Sequence, residues 1–315
     1  MMSVDIHGRK ISKMTLGTVQ LGMEYGIANK SGKPSIQKAF EILDTAIDGG
    51  INSFDTANAY GDSEEVLGKY FSRTDCKMKN PFFTTKFRLD PTSEIDRTSI
   101  EKQIYSFAEQ SLERLKIKKI PVYMLHNAKD MSQYGDIVPE TLKRLKKEGL
   151  IEKAGVSVYK SVEVEQMLEN DLYEAVQIPM NAFDTRMVQS GVLKKLKDAG
   201  RIVFIRSVFL QGLFFMDPDQ MPESLASTVI YLKQIRELAQ QEGLSVAQLA
   251  LSFIRDMEGV TSLVLGAETP EQVADNIKLI ESPGLSVDAF SGLERLSVEA
   301  PIEVIMSELH SRYRR

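Results

Sequence analysis

Eight short apolar runs, each followed by a longer amphipathic stretch, constrain this chain more than any other feature of it. They lie at residues 14–17, 52–55, 82–86, 122–126, 154–158, 175–178, 202–206 and 262–265. All are short and rich in Val, Ile, Phe and Leu, the pattern of strands buried on both faces. The stretches between them read as helices. Residues 36–48 place apolar side chains at 36, 40, 43 and 47 and stop at Gly49-Gly50. Residues 99–115 align Ile104, Phe107, Ala108, Leu112 and Leu115 on one face. Residues 142–147 and 188–199 each run into a glycine, Gly149 and Gly200, as a helix end should. Repeated β–α units predict a parallel sheet, and eight of them predict a closed (β/α)8 barrel formed as one domain over residues 1–315. An open dinucleotide-binding sheet would carry Gly-x-Gly-x-x-Gly after its first strand. Here the glycines fall at 17, 22 and 26, the wrong spacing. Residues 3–12 predict an N-terminal β-hairpin capping the barrel bottom. Beyond Glu281 the chain predicts a C-terminal helical extension, with an amphipathic run at 302–315 packed on the barrel or serving as a lid or dimer contact.

Composition excludes several function classes. The net charge of −5 lacks the basic footprint of a nucleic-acid binder. No stretch supplies the ~20 apolar residues of a membrane span, since 202–215 is short and broken by Arg206 and Gln211. The N-terminus has no basic segment followed by an apolar run, so no leader is expected. A lone cysteine, Cys76, fits a reducing compartment, and the expectation is a cytoplasmic protein. Only His7, His126 and His310 are histidines, too scattered to propose a metal centre.

In a barrel of this kind the chemistry sits at the C-terminal strand ends. The predicted second strand ends at Asp55, with Tyr60 in the loop behind it. The third ends at Lys86, the fourth at His126, the fifth near Ser157, the sixth near Gln177 and the seventh at Arg206. Any one of these could be a capping acid, a solvent lysine, a core histidine or a packing aromatic. An Asp, a Tyr, a Lys and a His on three successive strand ends exceed what packing requires.

With these residues in view the sequence resembles the aldo-keto reductase family. The resemblance rests on Phe54-Asp55-Thr56-Ala57-Asn58-Ala59-Tyr60-Gly61, then Ser63-Glu64-Glu65-Val66-Leu67-Gly68, Thr84-Thr85-Lys86 and Met124-Leu125-His126-Asn127. It continues through Gly155-Val156-Ser157, Gln177-Ile178-Pro179-Met180-Asn181, Gly266-Ala267 and Pro270-Glu271-Gln272 to Asn276. It covers nearly the whole chain in order. The resemblance implies hydride exchange between a nicotinamide cofactor, NAD(P)H, and a small carbonyl or sugar substrate. It implies Tyr60 as general acid/base, tuned by Lys86, with Asp55 pairing Lys86 and His126 orienting the substrate oxygen. A free phenol has a pKa near 10, and an ammonium beside it favours the phenolate.

The same resemblance implies a cofactor site. Ser157 and Gln177 would hold the nicotinamide carboxamide. Ser207, Leu210 and Gly212 would cover the pyrophosphate, and Gly266, Glu268, Gln272 and Asn276 would meet the adenosine. Two departures stand out. Arg206 occupies the place of a stacking aromatic, where it either stacks through its guanidinium or reaches the pyrophosphate. No Lys or Arg lies between Arg255 and Lys278, while Glu268, Glu271 and Asp275 do. A carboxylate suits a free 2′-hydroxyl better than a 2′-phosphate, by the logic of NAD sites in another fold. The balance favours NADH over NADPH. Gln20, Met23, Tyr25, Asn127, Phe183 and residues 209–216 would shape the substrate pocket. The expected state is a monomer or weak homo-oligomer. The competing reading is a nicotinamide-nucleotide-binding regulatory protein of the same fold with little turnover; fold alone does not separate the two.

Overall fold

All six residues of the run Phe82–Phe87 are buried, so both faces of this strand are covered by protein. The same holds for Ile120–Leu125. A strand so covered belongs in a parallel sheet sheathed by helices. In the computed structural model, residues 1–6, 8–26, 29, 32–90 and 96–300 are described. They form a small antiparallel hairpin, β1 (Ser3–Ile6) and β2 (Arg9–Ser12), and a closed barrel of eight strands. The barrel strands are β3 (Met14–Gly17), β4 (Ser53–Asp55), β5 (Phe82–Phe87), β6 (Ile120–Leu125), β7 (Ile151–Ser157), β8 (Tyr173–Pro179), β9 (Ile202–Arg206) and β10 (Ser262–Gly266). They pair in chain order, all parallel, and β10 closes on β3 through Leu263↔Met14 to Gly266↔Gly17. The expected (β/α)8 barrel is therefore what forms.

Helices α1 (Ile36–Asp48), α2 (Ser63–Phe71), α3 (Arg97–Leu115), α4 (Ile137–Lys147), α5 (Ser161–Leu168), α6 (Val192–Asp198), α7 (Val229–Gln241), α8 (Val246–Arg255), α9 (Pro270–Glu281) and α10 (Val287–Glu299) surround it. Three differences from the sequence expectation have local causes. The stretch 188–199 is two pieces, Arg186–Gln189 and α6, because Gly191 between them adopts a left-handed φ of 75°. Helix α4 begins at Ile137, five residues before the apolar rhythm suggests; Pro139 is tolerated in a first turn, whose N–H groups have no partner in the helix. Strand β6 ends at Leu125, so His126 stands just past the strand end. The C-terminal extension is present as α10, and the amphipathic run 302–315 lies outside the described residues.

The hairpin closes the bottom. Ile11 packs inside the barrel with Phe82, Val122, Met124, Ala175, Ile202 and Phe204. The Arg9 guanidinium lies 4.6 Å from the centre of the Phe82 ring. Asn52 ties the cap to β4, accepting from Ser12 N at 2.9 Å and donating to Lys10 O at 2.9 Å. With the lower end plugged, polar side chains gather at the upper one.

Candidate active site

Lys86 lies at the upper end of β5 with its side chain fully buried. Its Nζ donates to Asp55 Oδ1 at 2.7 Å, Asp55 Oδ2 at 2.8 Å and Thr56 O at 3.0 Å. Three acceptors match the three donors of an ammonium. Burial draws the Lys86 pKa down and Asp55 opposes this. Asp55 also accepts from Gln177 Nε2 at 2.7 Å, so strands β4, β5 and β8 share one carboxylate.

Tyr60 and His126 stand above this pair. Their rings meet edge to face at 5.7 Å, and Lys86 Nζ lies 5.1 Å from the Tyr60 ring centre. Surrounding protein pushes the Tyr60 phenol well above its ordinary pKa, Asp55 pushes it further, and Arg206 draws it down. The phenol therefore stays protonated at neutral pH, and Arg206 is a cation that draws its pKa down. His126 is pulled down to about 3 by burial first and then by Lys86, Arg206 and Arg88. It is a neutral imidazole over the whole physiological range.

The position of Tyr60 depends on a contact between two glycines distant in sequence. A Cβ on Gly22 would lie 1.9 Å from Tyr60 O, and one on Gly61 would lie 2.3 Å from Gly22 O. Gly61 also takes φ +56°, which an L side chain rarely adopts. A buried hydroxyl network fixes the same loop: Thr18 Oγ1 donates to Asp55 O at 2.8 Å, and Ser63 Oγ donates to Thr18 O at 2.9 Å. Buried Glu64 accepts from Thr85 Oγ1 at 2.6 Å and Asn58 Nδ2 at 3.1 Å, joining α2 to β5. Thr18, Gly22 and Glu64 are supporting residues absent from the sequence-level candidate set. Thr18 directly follows β3, so the strand-end rule could have found it.

The remaining candidates lie at the ends of β7 to β10. Ser157 is buried at the end of β7. Gln177 has its amide nitrogen committed to Asp55, which leaves its amide carbonyl as acceptor. Arg206 donates to Val158 O at 3.3 Å and Ser207 Oγ at 3.4 Å, and its guanidinium lies 4.2 Å from the Tyr159 ring centre. After it the backbone is left-handed at Ser207, Leu210, Gln211 and Gly212, with φ of 65°, 47°, 56° and 96°. The Leu210 side chain is buried in the core, so Leu210 offers this loop its backbone only. A Cβ on Gly266 would meet Gln20 Nε2 at 2.4 Å. Glu268 is half-buried, and its N–H donates to Gln272 Oε1 at 2.7 Å. Burial raises the Glu268 pKa. Asn276 is half-buried one turn further along α9. Among the described residues, Gln20 Oε1 and Gln211 Oε1 are buried without a partner. Buried polar atoms normally find one, so an orphaned acceptor in the left-handed loop, on Gln211, and another against Gly266, on Gln20, fit a polar ligand such as a dinucleotide.

Among the described residues no three His, Cys, Asp or Glu side chains group as metal ligands, and no helix is long and apolar enough to cross a membrane. The sequence profile of the Aldo/keto reductase family matches residues 13–297. The chain is 28% identical over 297 residues to the uncharacterized oxidoreductase YqkF of Bacillus subtilis, covering 90% of this chain and 95% of that one. It is 25% identical over 299 residues to the NADH-specific methylglyoxal reductase of Escherichia coli, covering 85% and 89%. The holo form of aldo-keto reductase AKR11C1 from Bacillus halodurans superposes with a TM-score of 0.74 at 22% identity, covering 94% and 96%. A profile match over nine-tenths of the chain, together with the closed eight-stranded barrel, settles the classification: this chain belongs to the aldo/keto reductase family.

Proposed function

We propose that the protein is an NAD(P)H-dependent reductase of small aldehydes and ketones, sugars among them, with Tyr60 as proton donor. The observation that carries this reading is the convergence of a protonated phenol, a neutral imidazole and a fully buried Lys86–Asp55 pair at one barrel mouth. The bound nicotinamide supplies the hydride. Tyr60 donates its hydroxyl proton to the carbonyl oxygen as charge develops there, the step that general acid catalysis accelerates. Its raised pKa keeps that proton in place beforehand and makes the phenol a donor rather than a base at rest. Neutral His126 hydrogen-bonds the same oxygen and sets its direction. Lys86 and Asp55 hold the floor under the phenol, and Asp55 biases it toward the protonated form. The reverse oxidation would ask Tyr60 to accept a proton, and the same set serves it by reversibility.

Ser157 and the Gln177 amide carbonyl would grip the carboxamide. The turn through Ser207, Leu210 and Gly212 would cover the pyrophosphate, with the Ser207 hydroxyl as donor, since the N–H groups of Leu210 and Gly212 are spent on Ser207 O and Phe209 O. Gly266 gives the backbone close approach, and Glu268, Gln272 and Asn276 would meet the adenosine ribose and base. With no Lys or Arg between 255 and 278, this end favours a free 2′-hydroxyl and hence NADH. The NADH-specific reductase among the relatives agrees with that choice. Every residue named comes from one chain, so a monomer suffices, and the single buried thiol of Cys76 fits the cytoplasm.

The test is turnover of an aldehyde panel followed at the reduced-nicotinamide absorbance. Tyr60→Phe should lose about 10²-fold or more in kcat, the usual size of an acid contribution. Retained turnover in a folded Tyr60→Phe protein would sink the assignment. In parallel titrations NADH should bind more tightly than NADPH; equal affinities, or tighter NADPH, would reject the preference. A protein that binds nucleotide yet reduces nothing on the panel would point to the regulatory reading.

A further inference from the structure

The charges at the barrel mouth do not balance. Lys86 is matched by Asp55 at 2.7 Å. Arg88, just past the end of β5, is exposed and is served by solvent. Arg206 has no such counterpart among the described residues: its hydrogen bonds reach two neutral oxygens, both at 3.3 Å or longer. A guanidinium carries five N–H donors in a planar fork, so most of its donor capacity is unspent. A cation of this kind is an unusual thing to leave half-buried beside a proton donor, because its desolvation is not compensated by a partner of opposite charge.

Strand order places it relative to the chemistry. Around the ring β9–β10–β3–β4–β5, Arg206 stands opposite Lys86. The side chain leans over the end of β8 to reach Val158 O and the Tyr159 ring behind β7. It is thereby held away from β10 and the Gly266–Asn276 segment, the side assigned to the adenosine and pyrophosphate. Tyr159, 42% exposed, covers one face of the guanidinium and steadies its plane. The edge donors are what the arrangement leaves to a ligand. Tyr60, Lys86 and His126 each respond to the Arg206 charge, which places it within electrostatic reach of the reacting carbonyl.

We propose that Arg206 is the specificity residue of this site and selects carbonyl substrates that carry a second, oxyanionic end, a carboxylate or a phosphate. The inference rests on the reductase reading above. Arg pairs with such groups through two parallel N–H···O bonds, a geometry that also orients the ligand. One end of the substrate is fixed at Arg206 while its carbonyl oxygen lies at Tyr60 and His126. A chain with a net charge of −5 repels anions at long range. A local unmatched cation is what admits them here.

The experiment compares kcat/KM for two matched pairs with NADH: succinic semialdehyde against butyraldehyde, and glyceraldehyde 3-phosphate against glyceraldehyde. The first pair reads a carboxylate and the second a phosphate. The wild type should favour the anionic member of at least one pair by tenfold or more. Arg206→Met should shrink that ratio about 10- to 100-fold, the size of a charge-assisted contact, and Arg206→Lys should shrink it less. Ratios near one in both pairs would overturn the proposal. So would a ratio that survives Arg206→Met, including the case where that variant only weakens NADH binding. If the wild type reduces none of the four, the reductase reading fails on its own account. The anion site is then read by titrating the NADH-loaded protein with succinate and with inorganic phosphate. Binding that Arg206→Met abolishes supports it, and no binding of either to the wild type overturns it.

Discussion

The two halves of the barrel mouth are built differently. Along β4 and β5 the charged groups are spent on each other: Lys86 uses all three donors on Asp55 and Thr56, and Glu64 ties α2 to β5, while among the described residues Asn58 Oδ1, Thr84 Oγ1 and, beyond β6, Asp130 Oδ2 are buried without a partner. Along β9 and β10 the cation at the mouth, Arg206, is left over. Among the described residues, Gln20 and Gln211 each bury an unpaired oxygen, Arg206 has no acid, and the backbone is left-handed through 210–212. The Lys86–Asp55 cluster is assembled within the chain; the Arg206 side keeps donors and acceptors that a ligand could use. Groups that must be aimed within fractions of an ångström benefit when the fold locks them before the reaction. Groups that bind and release do not.

Cutting the locked half should hurt most. Lys86→Met strands Asp55 in the interior with only Gln177 as a partner, and removing one member of a buried pair costs about 3–5 kcal/mol. Denaturant unfolding should show that loss, together with a collapse of turnover of about 10²-fold or more by loss of the acid's support. A stable, active Lys86→Met protein would mean that this half is not the locked one.

A smaller effect is expected from Gly22→Ala. The added Cβ would meet Tyr60 O at 1.9 Å, so the loop must move. Overpacking typically costs about 1–3 kcal/mol. Because Tyr60 is carried on that loop, kcat should fall about tenfold or more, by the cost of misplacing a positioned group, while the NADH dissociation constant holds within about twofold. Loss of nucleotide affinity instead, with kcat intact, would assign Gly22 to the other half.

The smallest effect is in the pH dependence of stability. His126, held down to about 3 against an ordinary 6.5, contributes stability that is present above 6.5 and lost as pH falls toward 3. Asp130, pushed up to about 6 by burial, contributes stability that is present below 3.8 and lost as pH rises through 6. Between about pH 4 and 6 the two oppose each other. Unfolding followed across that window should show Asp130→Asn gaining stability with pH more steeply than the wild type, by up to one proton. An unchanged slope would show that Asp130 is not held in the protonated form.

Much of the locked half was legible in the sequence, since it needs only strand ends and residue identity. Asp55, Lys86 and His126 sit at or just past three successive apolar runs, and Tyr60 follows the first of them. The barrel itself was legible for the same reason, because strands buried on both faces leave an unmistakable apolar rhythm. What the sequence hid was the direction of side chains and the meeting of distant segments. Nothing local to Gly22 says that it touches the backbone of Tyr60. Nothing local to Arg206 says that it leans toward β7 rather than β10. Gly191 was hidden in a run whose apolar spacing continues through it, and only its left-handed φ divides the helix.

The hairpin beneath the barrel has a practical consequence for handling the protein. It plugs the end remote from the chemistry, and at its tip Gly8 is exposed with nothing within 4 Å of where a Cβ would lie. The α-amino group of Met1, in contrast, is bound to Glu281 and nearly buried. A surface anchor or reporter belongs at the hairpin tip rather than at the N-terminus. Fixed there, the molecule would stand with the mouth that holds Tyr60, Lys86 and His126 toward the solution.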